Sequence, residues 1–86
     1  MSIVFDTARP EATLSAVKAA LASAEVAAVR LDFRAVTYLG PSGIDAVGRA
    51  ADLAREAGKD LVVEGVDPVV YKALHIARLA HLLTRA

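Results

Sequence analysis

The sequence predicts a small α/β protein with a mostly parallel sheet of three to four strands and helices packed on one face. Short apolar runs typical of strands alternate along the chain with longer segments of helical periodicity. Strands that are joined through helices are usually parallel neighbours with right-handed crossovers. Segment 29–34 alternates strictly between apolar and polar side chains, which indicates a sheet with one buried face and one face in water.

The composition predicts one globular domain that spans residues 1–86. Lys and Arg number ten, as do Asp and Glu, so the net charge of zero points to no nucleic acid or anionic membrane as partner. The absence of cysteine excludes disulfides and thiolate chemistry. We find no signal peptide and no apolar run near the ~20 residues of a membrane span. These features predict a cytoplasmic protein without membrane insertion.

The first strand is expected at 3–5 and the first helix soon after it. Asp6 and Thr7 are good N-cap residues, and Pro10 suits the first helical turn. The helix is expected to end near residues 23–25. Its apolar stripe is formed by residues at steps of three and four, namely Leu14, Val17, Leu21 and Ala24.

The second strand is expected at 29–34, and residues 37–39 are interpreted as a short extended piece that ends at the Gly40–Gly43 break. A second helix follows, and Gly58 is expected to cap its C-terminal end. The inner face of this helix is expected to carry Ile44, Val47, Ala51 and Ala54.

The third strand is expected at 61–63, and the third helix begins at about Pro68, which suits a first helical position. Its inner side is expected to carry Val70, Leu74 and Ala77. The short N-terminal strand leaves an edge that is free for pairing, so a homodimer is one interpretation of the sequence.

The middle of the chain resembles the STAS domains, a family named for sulfate transporters and anti-sigma-factor antagonists. Segment 29–39 is similar to their hydrophobic–Asp–hydrophobic strand, which is followed by Val-Thr-aromatic. Segments 57–66 and 67–74 are similar to the next strand and to the Ser-Pro-x-Val helix of the family. The resemblance covers residues 26–83 and implies a STAS-like fold. Many STAS domains begin with a pair of strands, whereas this chain has only the first strand before its first helix.

The loop before the second helix departs from the family pattern. STAS domains read Asp-Ser-Ser/Thr-Gly-Leu there, and this chain has Gly40, Pro41, Ser42, Gly43 and Ile44. In anti-sigma-factor antagonists a kinase phosphorylates the serine that directly follows the Asp, and Pro41 stands at that position. Because proline has no hydroxyl group, the usual phosphoswitch cannot operate there. Ser42 is the only hydroxyl residue left in the switch loop, residues 40–43.

Two interpretations of Ser42 follow from its place near the helix start. In the first, Ser42 is the N-cap and its hydroxyl accepts a hydrogen bond from a free backbone N–H. In the second, Ser42 is a phosphoacceptor, whose phosphate of about −1.5 to −2 charges is tolerated by the helix dipole but expels a partner packed over the loop. Pro41 forms a tight turn or locks the loop, and Gly43 eases the turn or lets a partner backbone approach.

The exposed side of the second helix is the second candidate surface. Asp45 and Arg49 are four residues apart and are expected to form a solvated ion pair. The resemblance implies that this side contacts partner kinases, through Asp45, Gly48, Arg49 and Asp52. The two histidines, His75 and His81, have no carboxylate neighbours on their helix, so we expect no metal site, no catalytic residues and no cofactor.

Three functions remain open from the sequence. The first is a non-enzymatic partner-switching regulator that binds an anti-sigma factor or a related serine kinase. The second is the small STAS subunit of a bacterial lipid-trafficking ABC transporter, which binds the ATPase; residues 64–71 resemble the start of that subunit's C-terminal helix. The third is a nucleotide-binding module or enzyme, which is disfavoured because the chain has no phosphate-binding glycine-rich loop.

Overall fold

The computed structural model describes residues 1–83, in which three parallel strands form one sheet with the order β1-β2-β3. The strands are β1 (Ser2–Val4), β2 (Ala28–Asp32) and β3 (Asp60–Glu64). The helices are α1 (Pro10–Leu21), α2 (Pro41–Glu56) and α3 (Pro68–Ile76), followed by a 3-10 turn at Ala80–Leu82. Each step from one strand to its neighbour passes through a helix, as the sequence predicts.

The two faces of the sheet differ as the alternation in the second strand predicts. Leu31 and Val63 are aligned neighbours on β2 and β3, and both are buried. Arg30 and Val62 are aligned one residue earlier and face the opposite side, where Arg30 is exposed. Inward residues of the strands and all three helices share one core. Its largest fully buried side chains are Phe33, Leu31, Leu74, Val17, Val29, Val47, Val63 and Val70.

Helix α1 ends at Leu21, earlier than the expected residues 23–25, and Ala24 is exposed instead of inward. The Lys59 ammonium group donates hydrogen bonds to the carbonyl oxygens of Leu21, at 2.8 Å, and Ser23, at 2.5 Å. If the helix continued, these two carbonyl oxygens would accept hydrogen bonds from backbone N–H groups of the next turn. The Lys59 side chain takes the place of those donors, so it stabilises the end of α1 at Leu21.

The start of α1 uses its polar residues differently from the expectation. Arg9 is the N-cap and Pro10 is the first helical residue. The Asp6 carboxylate accepts hydrogen bonds from the backbone N–H groups of Ala8, at 3.0 Å, and Arg9, at 3.1 Å, and so holds the turn before the helix. The Asp6 N–H donates to Thr13 Oγ1 at 2.9 Å, which explains why Thr13 is buried on the inner side of α1.

The other helix ends follow the sequence signals closely. Gly58 has a φ of 69°, and Lys59 N–H donates to the Ala54 carbonyl at 2.9 Å, which closes a Schellman motif at the end of α2. Pro68 is the first residue of α3, and the Asp67 carboxylate accepts a hydrogen bond from Val70 N–H at 2.9 Å. After α3, Leu83 returns to the sheet and forms a parallel bridge with Val63. None of the helices in residues 1–83 has the length and apolar character that a membrane crossing demands.

The segment between β2 and α2 contains no strand, and residues 37–39, expected as a short extended piece, belong to no regular element. A turn begins directly after β2, because Asp32 accepts a hydrogen bond from the Arg34 N–H at 2.9 Å. The Arg34 guanidinium also donates to both Asp32 carboxylate oxygens, at 2.8 to 3.2 Å. Gly65, with a φ of 71°, leaves room for the Arg34 side chain, which any Cβ atom at that position would meet.

The start of α2 packs closely on its own preceding loop and on the segment after β1. Gly43 is buried, and a Cβ atom there would lie 2.6 Å from Leu39 Cδ1 and 3.6 Å from Phe5 Cζ. Phe5 in turn packs on Phe33, with ring centroids 4.6 Å apart. Gly48 lies in the same helix, but no neighbouring atom lies within 4 Å of a Cβ placed there.

We expect Gly43→Ala and Gly48→Ala to change stability in opposite directions. Gly43→Ala should lower the free energy of unfolding by about 1–3 kcal/mol, because the buried Leu39 has to move. Gly48→Ala should raise it by about 1 kcal/mol, because alanine favours the helix and meets nothing. Urea unfolding followed by circular dichroism measures both. Two shifts of the same sign would contradict the packing at Gly43.

The Arg34 hydrogen bonds to Asp32 lower the pKa of the Asp32 carboxyl and raise that of the guanidinium. The Asp32 charge therefore stabilises the fold above the ordinary aspartate pKa of about 3.9, and this contribution is lost as the pH falls through the lower folded pKa. We expect Arg34→Gln to move the Asp32 titration to higher pH, as followed by carboxyl carbon NMR. Arg49→Gln is the control and should leave it unchanged. Equal Asp32 titrations in the wild type and Arg34→Gln would refute the assignment.

Candidate functional site

The switch loop, residues 40–43, forms the start of α2, at the end of the segment that leaves the carboxyl end of β2. Val36 and Leu39 are buried and anchor the segment to the core. Between and after these anchors the chain is open to solvent: Tyr38 is 69% exposed, and Pro41 and Ser42 are also exposed. The core therefore fixes the backbone of the loop while its polar and aromatic side chains face outward.

Gly40, not Ser42, is the N-cap of α2. Its carbonyl oxygen accepts the first helical hydrogen bond, from Ile44 N–H at 2.9 Å, and Pro41 is the first helical residue. Proline suits this position because its fixed φ is helical and its missing N–H is not needed there. Proline also favours an extended residue before it, as Gly40 is, with a φ of −85° and a ψ of −178°. The interpretation of Ser42 as N-cap is therefore wrong.

The N-terminal end of α2 receives no side-chain hydrogen bond within residues 1–83. Its first turn contains no acidic residue. Helix α3, in contrast, has the Asp67 carboxylate at its N-terminal end. The positive end of the α2 dipole is thus available to an acceptor group from outside the helix.

Ser42 is the second residue of α2, and its side chain is exposed and does not cap the helix. Its hydroxyl group lies beside the positive end of the dipole. Gly43, the next residue, is buried under the loop by Leu39 and Phe5. The expectation that Gly43 admits a partner backbone is corrected, because this glycine serves the packing within the chain.

The four residues predicted on the exposed side of α2 share one stripe at steps of three and four. Arg49 Nε donates to Asp45 Oδ2 at 2.8 Å, which is the ion pair expected from the sequence. Asp52 instead pairs with Arg55, also at 2.8 Å. Gly48 leaves a gap in this stripe. We define the docking face as the exposed loop residues together with this stripe, namely Tyr38, Pro41, Ser42, Asp45, Gly48, Arg49 and Asp52.

Helix α1 forms the second wall of this surface, which the sequence interpretation missed. An open groove of about 330 Å³ lies between Pro10, Glu11 and Leu14 of α1 and the stripe of α2. Farther along, Lys18 lines a continuation of the groove together with Asp52. Leu14 was expected in the core, but it lies only half-buried at its margin.

The histidines lie away from the docking face. His75 is exposed and stacks on Tyr71, with ring centroids 6.2 Å apart and planes 8° from parallel. His81 is exposed in the 3-10 turn. Among the residues that the structure covers, no three His, Asp or Glu side chains are grouped to hold a metal ion.

Comparison with known proteins agrees with the fold. The family model described as "Mlab, STAS domain" matches residues 4–84, which is nearly the whole chain. Separate comparisons with the curated proteins and with the solved structures give no match. STAS domains in general mediate protein–protein interactions and are associated with regulation. The chain belongs to the STAS domain family.

Proposed function

We propose that this chain is a non-enzymatic regulator of the anti-sigma-factor-antagonist type, which binds a serine kinase or an anti-sigma factor in the cytoplasm. The docking face carries this proposal. It combines a loop that is anchored at Val36 and Leu39, an exposed aromatic side chain at Tyr38, and a helix start that no side chain of the described residues caps. A partner that supplies hydrogen-bond acceptors would complete this helix start.

The charges of the docking face suit an exchange of partners. Asp45, Arg49 and Asp52 are all exposed, and their ion pairs lie within α2. Exposed pairs of this kind contribute at most about 1 kcal/mol to stability, so breaking them in favour of a partner costs little. Charges at the rim of an interface also guide the approach and orientation of a partner.

The position of Ser42 supports a phosphorylation switch at this residue, which directly follows Pro41 at the usual phosphoserine position. Its hydroxyl is exposed to a kinase, and a phosphate there would lie at the positive end of α2. The isolated chain would tolerate this charge, whereas a partner that covers the loop with apolar or acidic groups would be expelled.

We expect Ser42→Asp to weaken partner binding strongly and Ser42→Ala to leave it almost unchanged. The aspartate mimics the charge of a phosphate, while alanine removes only a hydroxyl that makes no cap. Titration calorimetry with the purified partner measures both affinities, and circular dichroism checks that the fold is kept. Equal affinities for the two variants would exclude the switch at Ser42.

A second candidate is the STAS subunit of a bacterial lipid-transport ABC system, in which the chain binds and regulates the ATPase. Pro41 favours it, because the absence of a hydroxyl at the usual phosphoserine position does not affect a subunit that works without that phosphate. The description of the matching family model, "Mlab, STAS domain", and the resemblance of residues 64–71 to such a subunit point the same way. The same docking face would then hold the ATPase.

A bulky side chain at Gly48 should block the docking face without disturbing the fold. No neighbouring atom lies within 4 Å of a Cβ placed at Gly48, so we expect Gly48→Trp to fold and to lose the partner that tagged wild-type protein captures from its native cytoplasm. Lys72→Trp, on an exposed position of α3, is the control and should keep the partner.

The captured protein identifies the function by mass spectrometry. A serine kinase or sigma-regulatory protein supports the first candidate, and an ABC ATPase with its permease supports the second, for which gene deletion should also weaken the cell envelope. If Gly48→Trp retains the partner as well as Lys72→Trp does, the docking face is not the binding surface.

A further inference from the structure

Within residues 1–83, β1 pairs on one side only and is an edge of the sheet. The Met1 carbonyl accepts from Arg30 N–H at 2.8 Å, and Phe5 N–H donates to the Asp32 carbonyl at 3.0 Å. Because backbone groups alternate in direction along a strand, the odd residues face β2, and the N–H and C=O groups of Ser2 and Val4 point away from the sheet.

Helix α1 lies above this edge, since it packs against both β1 and β2, with α2 on its other side. The side of α1 that faces α2 is lined by Glu11, Leu14 and Lys18. The opposite side, toward the sheet edge, carries only small side chains at steps of three and four. These are the exposed residues Ala12, Ala16 and Ala19.

We propose that this edge binds a second copy of the chain through antiparallel pairing of β1 with β1, about a twofold axis perpendicular to the sheet. With Ser2 opposite Val4 of the second copy, the outward backbone groups of both strands form about four hydrogen bonds in a self-complementary register. The result is a continuous six-stranded sheet with the helices of both copies on the same face.

The spacing of the layers fits this arrangement. Neighbouring strands lie about 4.8 Å apart, and each α1 lies above the gap between β1 and β2. Across the twofold axis the two α1 helices are therefore two strand spacings apart, which is about 10 Å. Packed helices lie about 8–10 Å apart, and the shorter separations require small side chains at the contact. Ala12, Ala16 and Ala19 meet that requirement.

The charge of this edge favours a second copy as the occupant. A twofold axis brings residues near it close to their own counterparts, so a charged side chain there would repel itself. Neither the side chains of β1 nor Ala12, Ala16 and Ala19 are charged, and the Met1 ammonium group before β1 donates to the Ala28 carbonyl at 3.5 Å, on the β2 side of the strand. The docking face, in contrast, carries charges of both signs. The dimer would also cover two apolar side chains at this edge, Met1 at 63% and Val4 at 66% exposure.

The dimer is weak by this argument and independent of the docking face. Helix α1 is about 18 Å long, and β1 has three residues, so the contact falls short of the ~1,200 Å² that stable interfaces bury. The two strands run in opposite directions, so the two docking faces lie at opposite ends of the joined sheet. Each remains open to its own partner.

Sedimentation velocity over about 10 µM to 1 mM protein tests the proposal. The wild type should shift with concentration from its monomer mass of 9.0 kDa toward twice that mass. Ala16→Glu should weaken the association roughly tenfold or more, because like charges then meet across the axis. Ser15→Glu adds the same charge on the solvent side of the same helix, about 100° around its axis from Ala16, and is the matched control that should associate as the wild type does.

A second variant and a second measurement keep the test independent of any folding defect. Val4→Lys places a positive charge on β1 opposite Ser2 of the second copy and near the same lysine across the axis, so it should also weaken the association. In the wild type, hydrogen exchange at the Val4 amide should slow with increasing concentration, whereas the Ile3 amide, which faces β2, should not respond. A monomer at all concentrations, or a dimer that persists in both Ala16→Glu and Val4→Lys, would overturn the proposal, as would equal weakening by Ser15→Glu.

Discussion

The inward row of β2 is the contact on which the rest of the structure depends. Val29 and Leu31 of β2, and Phe33 directly after it, are completely buried. In the part of the chain that the structure describes, β2 is the only strand with a strand on both sides. Helix α1 leads into this strand and packs against β1 and β2, whereas α2 leads out of it and packs against β3 and α1, so the two helices cover the sheet side by side. Removing this row from water supplies the main driving force that holds the layers together. It also fixes where the chain leaves the sheet and enters the switch loop.

The docking face follows from that geometry. After β2 the chain sends Val36 and Leu39 back into the core, which leaves Tyr38 between them in solvent. Because Gly43 has no side chain, α2 packs directly against Leu39. This close contact fixes the position of the helix relative to the loop. The exposed residues that we assign to partner binding therefore lie on a backbone that buried contacts with the core hold in place. A surface preorganised in this way loses little conformational entropy on binding.

The sequence was sufficient for the fold because its signals are local and repeated. Alternation in segment 29–34, Gly58 after α2 and Pro68 before α3 each depend on backbone rules that hold in any context. Prediction was wrong at the end of α1, where a distant residue decides, because Lys59 ends this helix from across the fold. The turn that Asp32 and Arg34 form directly after β2 is local, and the sequence interpretation missed it. The exposed stripe of α2 could be predicted from the spacing of its residues. The groove between α1 and α2 could not, because its shape depends on the packing of the two helices against each other. The start of α2 at Pro41 was visible in the sequence, by the same rule that was applied to Pro68.

Lys59 has a consequence for how the protein folds and unfolds. Its backbone completes the Schellman motif of α2, and its ammonium group holds the end of α1, at Leu21, 38 residues earlier in the chain. Fraying of either helix end therefore breaks a contact that the other one needs. Such long-range coupling makes opening a concerted event and favours a two-state transition over stepwise loss of single helices. In this small domain, Lys59 therefore couples the order of two helix ends to the cooperative unfolding of the whole domain.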